Sequence, residues 1–297
     1  MQQPRIKIVT IALTGLAMAA FAANSVLCRA ALSQAAIDPA TFTLVRLASG
    51  TCVLCLILSL RRKPEQPRGS WPASVALFAY AAAFSFAYAS LPAGTGSLLL
   101  FGAVQTTMIG YGLVRGERLS ALQWFGLTVA VAGLAALVAP GAMAPSVTGA
   151  CLMLTAGVAW GAYSLLGRGI ADPLSATAGN FVRSLPIPIG LSLYALLSGT
   201  NLTAIGLACA ILSGAVASGL GYTIWYAALP GLTPAQGASV QLSVPVITAL
   251  AGALMLGEAI SLRLSMSSLA ILGGIALVFG SRERAPSRSS WLSKTSR

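Results

Sequence analysis

Apolar runs long enough to cross a bilayer follow one another almost without a break through this 297-residue chain. The stretch from Gly231 to Glu258, GLTPAQGASVQLSVPVITALAGALMLGE, shows the pattern. It opens on turn residues, continues as an apolar helix with one internal proline, Pro245, and stops at Gly257-Glu258. About twenty apolar residues in a helix match the roughly 30 Å hydrocarbon layer, and the first carboxylate after them marks the interface. Inside lipid only helices and closed barrels satisfy their own backbone groups. Unbroken rather than alternating apolar runs exclude the barrel, which leaves an all-α integral membrane protein. Composition agrees: 57% of residues are hydrophobic and 8% charged, too few charges to cover a soluble domain.

Ten spans are predicted, over residues 8–27, 41–60, 73–89, 96–114, 122–138, 149–166, 176–197, 205–228, 235–256 and 264–279. The first follows Arg5 and Lys7 and resembles a secretory signal, but it is long enough to cross and many spans follow, so it is read as an uncleaved helix.

The chain repeats itself. LPAGTGSLLLFGAVQTTMIGYGLVRGE, ending at Glu117, has the grammar of the stretch ending at Glu258. Residues 20–29 (AFAANSVLCR) match 159–168 (AWGAYSLLGR) without a gap, Asp38-Pro39 matches Asp172-Pro173, and Tyr88-Ala89-x-Leu91-Pro92 matches Tyr226-Ala227-x-Leu229-Pro230. Two five-helix repeats follow, residues 1–141 and 142–280, with a basic tail at 281–297. Five is odd, so the second copy enters the membrane from the opposite side. With the N-terminus cytoplasmic, fourteen of the eighteen basic residues fall on the cytoplasmic side, and Arg29 and Arg263 alone fall outside; Arg46 and Arg183 lie within spans. Both termini are therefore expected in the cytoplasm. The net charge of +12 is accounted for by orientation, not by nucleic acid, because no basic face is interleaved with aromatics. The serine-rich tail is expected to be loosely ordered near anionic headgroups.

Inverted repeats serve alternating access, with a site at mid-depth between the halves. At the level of residues the pattern resembles the drug/metabolite transporter superfamily, in particular its EamA-type ten-helix members. The resemblance is carried by Ala159-Trp160-x-x-Tyr163 with Arg168, Pro173 followed by Arg183, Tyr222-x-x-Trp225-Tyr226-Ala227-Ala228-Leu229, Ser243-Val244-Pro245-Val246 and Leu256-Gly257-Glu258, with a weaker copy in the first half. It implies a central cavity, peripheral fifth and tenth helices, and transport of small metabolites, often outward, of amino acids or related compounds across a cell inner membrane. Val104 replaces the proline that Pro245 supplies, so at that matched position only the ninth helix, not the fourth, is expected to kink; Phe21 stands where Trp160 does, and Ser267 where Gly126 does.

Arg46 and Arg183 are charges at membrane depth, where a guanidinium faces the protein interior or a water cavity. Either holds a substrate carboxylate or phosphate, or snorkels to loop carbonyls near its helix end. Tyr80, Phe84 and Tyr88 share one face of the third helix, and Tyr222 with Trp225 continues a face of small residues (Ala210, Gly214, Ser218) on the eighth. These aromatics wall a cavity or pack against lipid. Asn24, Gln105, Trp160, Tyr163, Asn180, Gln241 and Ser243 supply polar or aromatic groups at depth that require partners, whether helix, water or substrate. Pro245 frees a backbone carbonyl and suits a hinge, while Glu117 and Glu258 are read as interfacial caps or gate residues.

There is no histidine and no mid-span pair of carboxylates, which argues against an enzyme. The five cysteines, Cys52 and Cys55 among them, lie in apolar runs and are read as packing residues, with neither metal nor cofactor expected. No phosphate-binding loop is present. The expected function is a secondary transporter working by alternating access, its partners the bilayer and a small solute, as a monomer or homodimer. The alternatives are an intramembrane enzyme and a solute channel.

Overall fold

The computed structural model describes residues 3–61, 68–141, 144–197, 199, 201–232 and 234–282. The basic tail beyond residue 282 therefore lies outside the described residues. The first five spans are single helices: α1 (Gln3–Ser33), α2 (Pro39–Ser59), α3 (Trp71–Tyr88), α4 (Ala93–Val114) and α5 (Ala121–Val138). Their starts are written in sequence. Asp38 accepts hydrogen bonds from the amides of Ala40 and Thr41 with Pro39 at the first helical position, and Ser120 with Gln123 forms a reciprocal capping box.

The second half repeats the order but interrupts it. After α6 (Val147–Leu166), the seventh span consists of two helices, α7 (Pro173–Ser184) and α8 (Pro186–Leu197). A single seventh helix beginning near Ala176 was expected; the structure starts three residues earlier, at the Asp172 cap, and breaks at Leu185. Pro186 lacks the N–H that would continue α7 and instead opens α8. This is why nine helical runs among the described residues are long and apolar enough to cross a membrane while the polypeptide makes ten passes.

The eighth span runs from α9 (Ala204–Leu212) through a π-helical segment (Ser213–Leu220) into α10 (Gly221–Ala228), and a short 3-10 turn (Leu229–Gly231) follows. In the ninth span, α11 (Pro234–Gln241) and α12 (Ser243–Leu256) meet at Leu242. The proline ring at 245 excludes the carbonyl of residue i−4, Gln241, so the break falls one residue beyond that carbonyl. In α4, where Val104 stands in the corresponding place, the helix is continuous. The tenth span is α13 (Leu262–Arg282).

The packing follows a two-fold rule. The third span packs on the sixth and the eighth on the first; the fourth packs on the sixth and the ninth on the first; the second packs on the eighth and the seventh on the third. The second and seventh spans, the fourth and ninth, and the fifth and tenth pair with each other. Each of these pairings has its counterpart under exchange of the halves, the arrangement of two inverted five-helix repeats. The fifth and tenth helices pack mainly on one another, where Gly126 and Gly274 bring α5 and α13 into backbone contact. That leaves the other eight spans around the centre.

Exposed leucine, isoleucine and valine cover the outer faces, as lipid requires. Cys52 points outward and Cys55 is half-buried; the cysteines are free thiols.

Candidate functional site: an aromatic cavity between the halves

The twin Gly-Glu endings explain themselves as helix caps. Gly116 and Gly257 take left-handed backbone angles, φ +88° and +67°. The following glutamate amide then turns back onto the preceding helix: Glu117 N–H donates to Gly112 O at 2.9 Å and Glu258 N–H to Gly252 O at 3.2 Å. Each carboxylate lies over a glycine. A Cβ on Gly112 would stand 2.6 Å from Glu117 Oε2, and one on Gly252 3.0 Å from Glu258 Oε2. Glu258 goes further and ties three elements together. Its Oε1 accepts from Arg29 Nε at 2.9 Å, and its Oε2 accepts from the Ala93 amide at the start of α4 at 2.7 Å. Arg29 also donates to the Tyr88 and Ala89 carbonyls at the end of α3. This knot ties α1, α3, α4 and α12 together at one end of the bundle, the end predicted to face outward.

Beneath the knot lies a cavity of about 70 Å³, measured as the space open to the centres of water molecules. At about 10–15 Å³ for each water, it holds several. Its wall comes from both halves: Phe21, Asn24 and Ser25 on α1, Tyr80 and Phe84 on α3, Leu100 and Phe101 on α4, Trp160 and Ser164 on α6, Ala217 in the π segment, Tyr222 and Trp225 on α10, and Gln241 on α11. Ser164 lies two residues from the end of α6 and Trp225 three from the end of α10, so the cavity extends toward the end opposite Arg29 and Glu258.

Aromatic rings define its shape. Trp160 stacks on Tyr222 (5.4 Å, 24°) and on Tyr163 (5.2 Å, 26°), and its ring centroid is 4.7 Å from that of Tyr80. Phe21 closes against Tyr222 at 5.8 Å and Trp225 at 6.1 Å. Offset and edge-on arrangements of this kind hold rings rigid at small entropic cost.

The polar floor is a short network. Ser213, first residue of the π segment, donates to Asn24 Oδ1 at 2.6 Å; Asn24 Nδ2 donates to the Tyr80 hydroxyl at 3.3 Å; Arg46 Nη2 donates to the same oxygen at 3.0 Å. Arg46 is 2% exposed and lies behind Tyr80 and Phe84, its guanidinium carbon 5.1 and 4.9 Å from their ring centroids. Among the described residues it has no ion pair, and its Nη1 is buried without a hydrogen-bond partner. Close helix approach makes the network possible. A side chain at Gly214 would run into the Arg46 carbonyl and Ser49 Oγ, so the small-residue face of the eighth span is the seat for α2.

Of the residues singled out in the sequence, the structure brings Asn24, Tyr80, Phe84, Trp160, Tyr222, Trp225 and Gln241 onto the cavity wall. Arg46 and Tyr163 stand directly behind it. Arg183, Gln105 and Ser243 are elsewhere. Arg183 is half-buried near the end of α7 and donates to the Gly179 carbonyl of its own helix at 3.1 Å. Gln105 is 1% exposed in α4 with Oε1 unpartnered, and Ser243 donates to the Val240 carbonyl across the Pro245 break. Asn180 is structural: its Oδ1 accepts from the Ser70 amide at 2.9 Å and its Nδ2 donates to Tyr163 at 3.5 Å. Phe21, Ser25, Leu100, Phe101, Ser164 and Ala217 complete the wall without having been singled out as site residues.

At the opposite end, Arg61 pairs with Asp172 at 2.7 Å, joining the end of α2 to the cap of α7. Burial works to raise the Asp172 carboxyl, but the hydrogen bond from Arg61 and the amides of Ser175 and Leu174 outweigh it and hold the group below the ordinary aspartate value.

The comparisons with known proteins bear on the fold and the family. Over 274 residues the chain is 58% identical to the uncharacterized protein PA1977 of Pseudomonas aeruginosa, covering 92% of this chain and 95% of that one. A solved crystal structure superposes over 90% of this chain and 98% of its own with a TM-score of 0.62 at 20% identity, a likeness of fold. The sequence profile of the EamA-like transporter family matches twice, at residues 8–139 and 147–280. With a two-fold bundle of repeated helices and a double match spanning most of its length, the chain belongs to the EamA-like transporter family of the drug/metabolite transporter superfamily.

Proposed function

We propose that the protein is a secondary carrier that moves small organic metabolites, amino acids or related compounds, outward across the cytoplasmic membrane by alternating access. The observation that carries this reading is the cavity itself, whose wall is drawn from both repeats, with Arg29 and Glu258 paired at one end of the bundle. A site shared between two halves changes the side it opens to when the halves rock against each other. The gate has a built-in twin. By the repeat, Arg29 corresponds to Arg168 and Glu258 to Glu117. Those two residues lie at the other end, and closure there is the expected counterpart of the knot seen here.

Movable parts are available on the second repeat. The break at Leu242, the hinge at Leu185 and the π segment each replace regular helix beside the cavity or its supporting spans. Such interruptions absorb rotation without rupturing a whole helix. The basic-residue bias supports cytoplasmic termini, and each ion pair joins residues assigned to one face, Arg29 with Glu258 and Arg61 with Asp172. On this reading the state described is the one closed to the outside.

The test is counterflow in proteoliposomes. Loading unlabelled solute inside should accelerate entry of labelled solute with saturable kinetics. Flux that neither saturates nor responds to solute on the far side would replace the carrier with a pore.

A further inference from the structure

We propose that the cavity recognises its solute through a carboxylate group bound as the anion, with the Tyr80 hydroxyl as the contacting donor and Arg46 as the charge behind it. The proposal rests on the carrier reading for its physiological role and on the polar floor for its chemistry.

Tyr80 is the centre of the argument. Its oxygen accepts from two donors, Asn24 Nδ2 and Arg46 Nη2, so both lone pairs are engaged. Its own O–H hydrogen finds no acceptor among the described residues, and Tyr80 lines the cavity. A phenol that accepts from a guanidinium is polarised into a stronger donor. Arg46 adds its charge and a further donor, Nη1, without a partner. The indole N–H groups of Trp160 and Trp225 can only donate, while Ser25, Ser164 and Gln241 on the same wall donate as well as accept, so no lining side chain is an acceptor alone. The floor is rich in donors and positive in charge, and it lacks an acceptor of matching strength.

A buried charge without a counter-ion is costly in a membrane protein. The aromatic faces offset part of that cost, because Arg46 sits over Tyr80 and Phe84. The same contact argues against a cationic solute. An ammonium seeking cation–π stabilisation would find those two rings already taken and a guanidinium behind them; of the other rings on the wall, Trp160 is already stacked on Tyr163 and Tyr222. It would also meet no carboxylate, since the described acidic residues, Asp38, Glu117, Asp172 and Glu258, lie at helix ends. A carboxylate instead supplies the missing acceptor and the missing charge, and the stacked Trp160–Tyr222 pair offers a flat surface to an apolar remainder.

The experiment is equilibrium binding to the full-length protein in lipid nanodiscs, with three skeletons of increasing size. Isobutyrate, benzoate and 3-phenylpropionate are each compared with the amide and the primary amine of the same skeleton. At least one carboxylate should bind about tenfold or more tightly than both neutral and cationic analogues, the scale of a hydrogen bond to a charged group. Tyr80→Phe keeps the ring and removes only the donor, and should reduce that preference about tenfold; Arg46→Met should abolish it, and Arg46→Lys should retain part. Should Arg46→Met fail to fold, Tyr80→Phe still decides. Equal binding of carboxylate, amide and amine across all three skeletons overturns the proposal, as does an unchanged preference in Tyr80→Phe. Counterflow separates the two readings: carboxylate binding without exchange overturns the carrier and leaves the site, whereas exchange of amines in preference to carboxylates overturns the anion site and leaves the carrier.

Discussion

Arg46 and Asn180 occupy the same place in the two repeats. Each is the eighth residue beyond a capping aspartate, Asp38 or Asp172, and each helix begins with proline at its first position. Arg183, matched to Arg46 by residue type, is three positions further on and faces its own helix's carbonyl. Asn180 has closed its polar atoms on the protein: the Ser70 amide on one side and the Tyr163 hydroxyl on the other. Arg46 has not, with a buried nitrogen unpartnered and a shared tyrosine whose hydrogen points nowhere within the described protein. Duplication supplied two equivalent positions. One became a brace between spans, and the other holds unused donors beside a cavity.

Close approach is common to both positions, and its loss should have the largest effect. Gly214 lies on the Arg46 carbonyl, and Gly179 lies on the backbone of Arg68 and Gly69. Gly214→Val and Gly179→Val should each abolish recovery of monodisperse protein by size-exclusion chromatography, because the opposing atoms are backbone and cannot yield. Normal recovery of either would show that the helices are less tightly seated than described.

Substitution at the equivalent positions themselves sharpens the comparison. Arg46→Met should lower transport of the preferred solute about ten- to a hundredfold, the equivalent of one hydrogen bond to charge at about 1.5–3 kcal/mol. Asn180→Ala should leave solute preference intact and instead lower the melting temperature by several degrees, since an orphaned buried amide costs about 1–3 kcal/mol. If both variants altered preference alike, the division of labour between them would be wrong.

The smallest effect concerns the salt bridge at the base of α7. Asp172 is held below the ordinary aspartate value, so its contribution is present above that value, about 3.9, and fades as pH falls through its folded-state value. Thermal stability in detergent should be flat near neutrality and decline in the acid range. Asp172→Asn should flatten part of that decline, and by well under 1 kcal/mol because the pair is partly exposed.

Much of the fold was legible because lipid imposes long apolar runs and because duplication writes each run twice. Asn24, Tyr80, Trp160, Tyr222 and Gln241 were legible for a related reason: polar or amphipathic groups at depth need partners, and the central cavity is where partners converge. The same rule does not separate out Gln105, buried in α4 with its Oε1 unpartnered, or half-buried Ser243, which bonds the Val240 carbonyl of its own span. Phe101 had no such mark, and Phe21 was marked only by standing where Trp160 does. Their rings read like those of Phe86 and Phe125, which face outward, and only the neighbouring helices decide which phenylalanine is inside. The π segment at Ser213–Leu220 is likewise a tertiary outcome, since a face repeating every four residues fits regular helix equally well. The broken seventh span reads in the sequence as one helix over 176–197 because that run has the length of a single span, although Pro186 within it cannot continue a helix.

The account depends on a solute site at the centre that opens to one side at a time. Ser164 lines the cavity near the end away from Arg29 and Glu258. In a variant with its five native cysteines replaced by alanine, Ser164→Cys should react with a membrane-impermeant maleimide added from the cytoplasmic side, and solute should protect it. Adding Glu258→Gln, which breaks the knot with Arg29, should make the same thiol reactive from outside. Reaction from outside with Glu258 intact, or from neither side in either variant, would contradict the account.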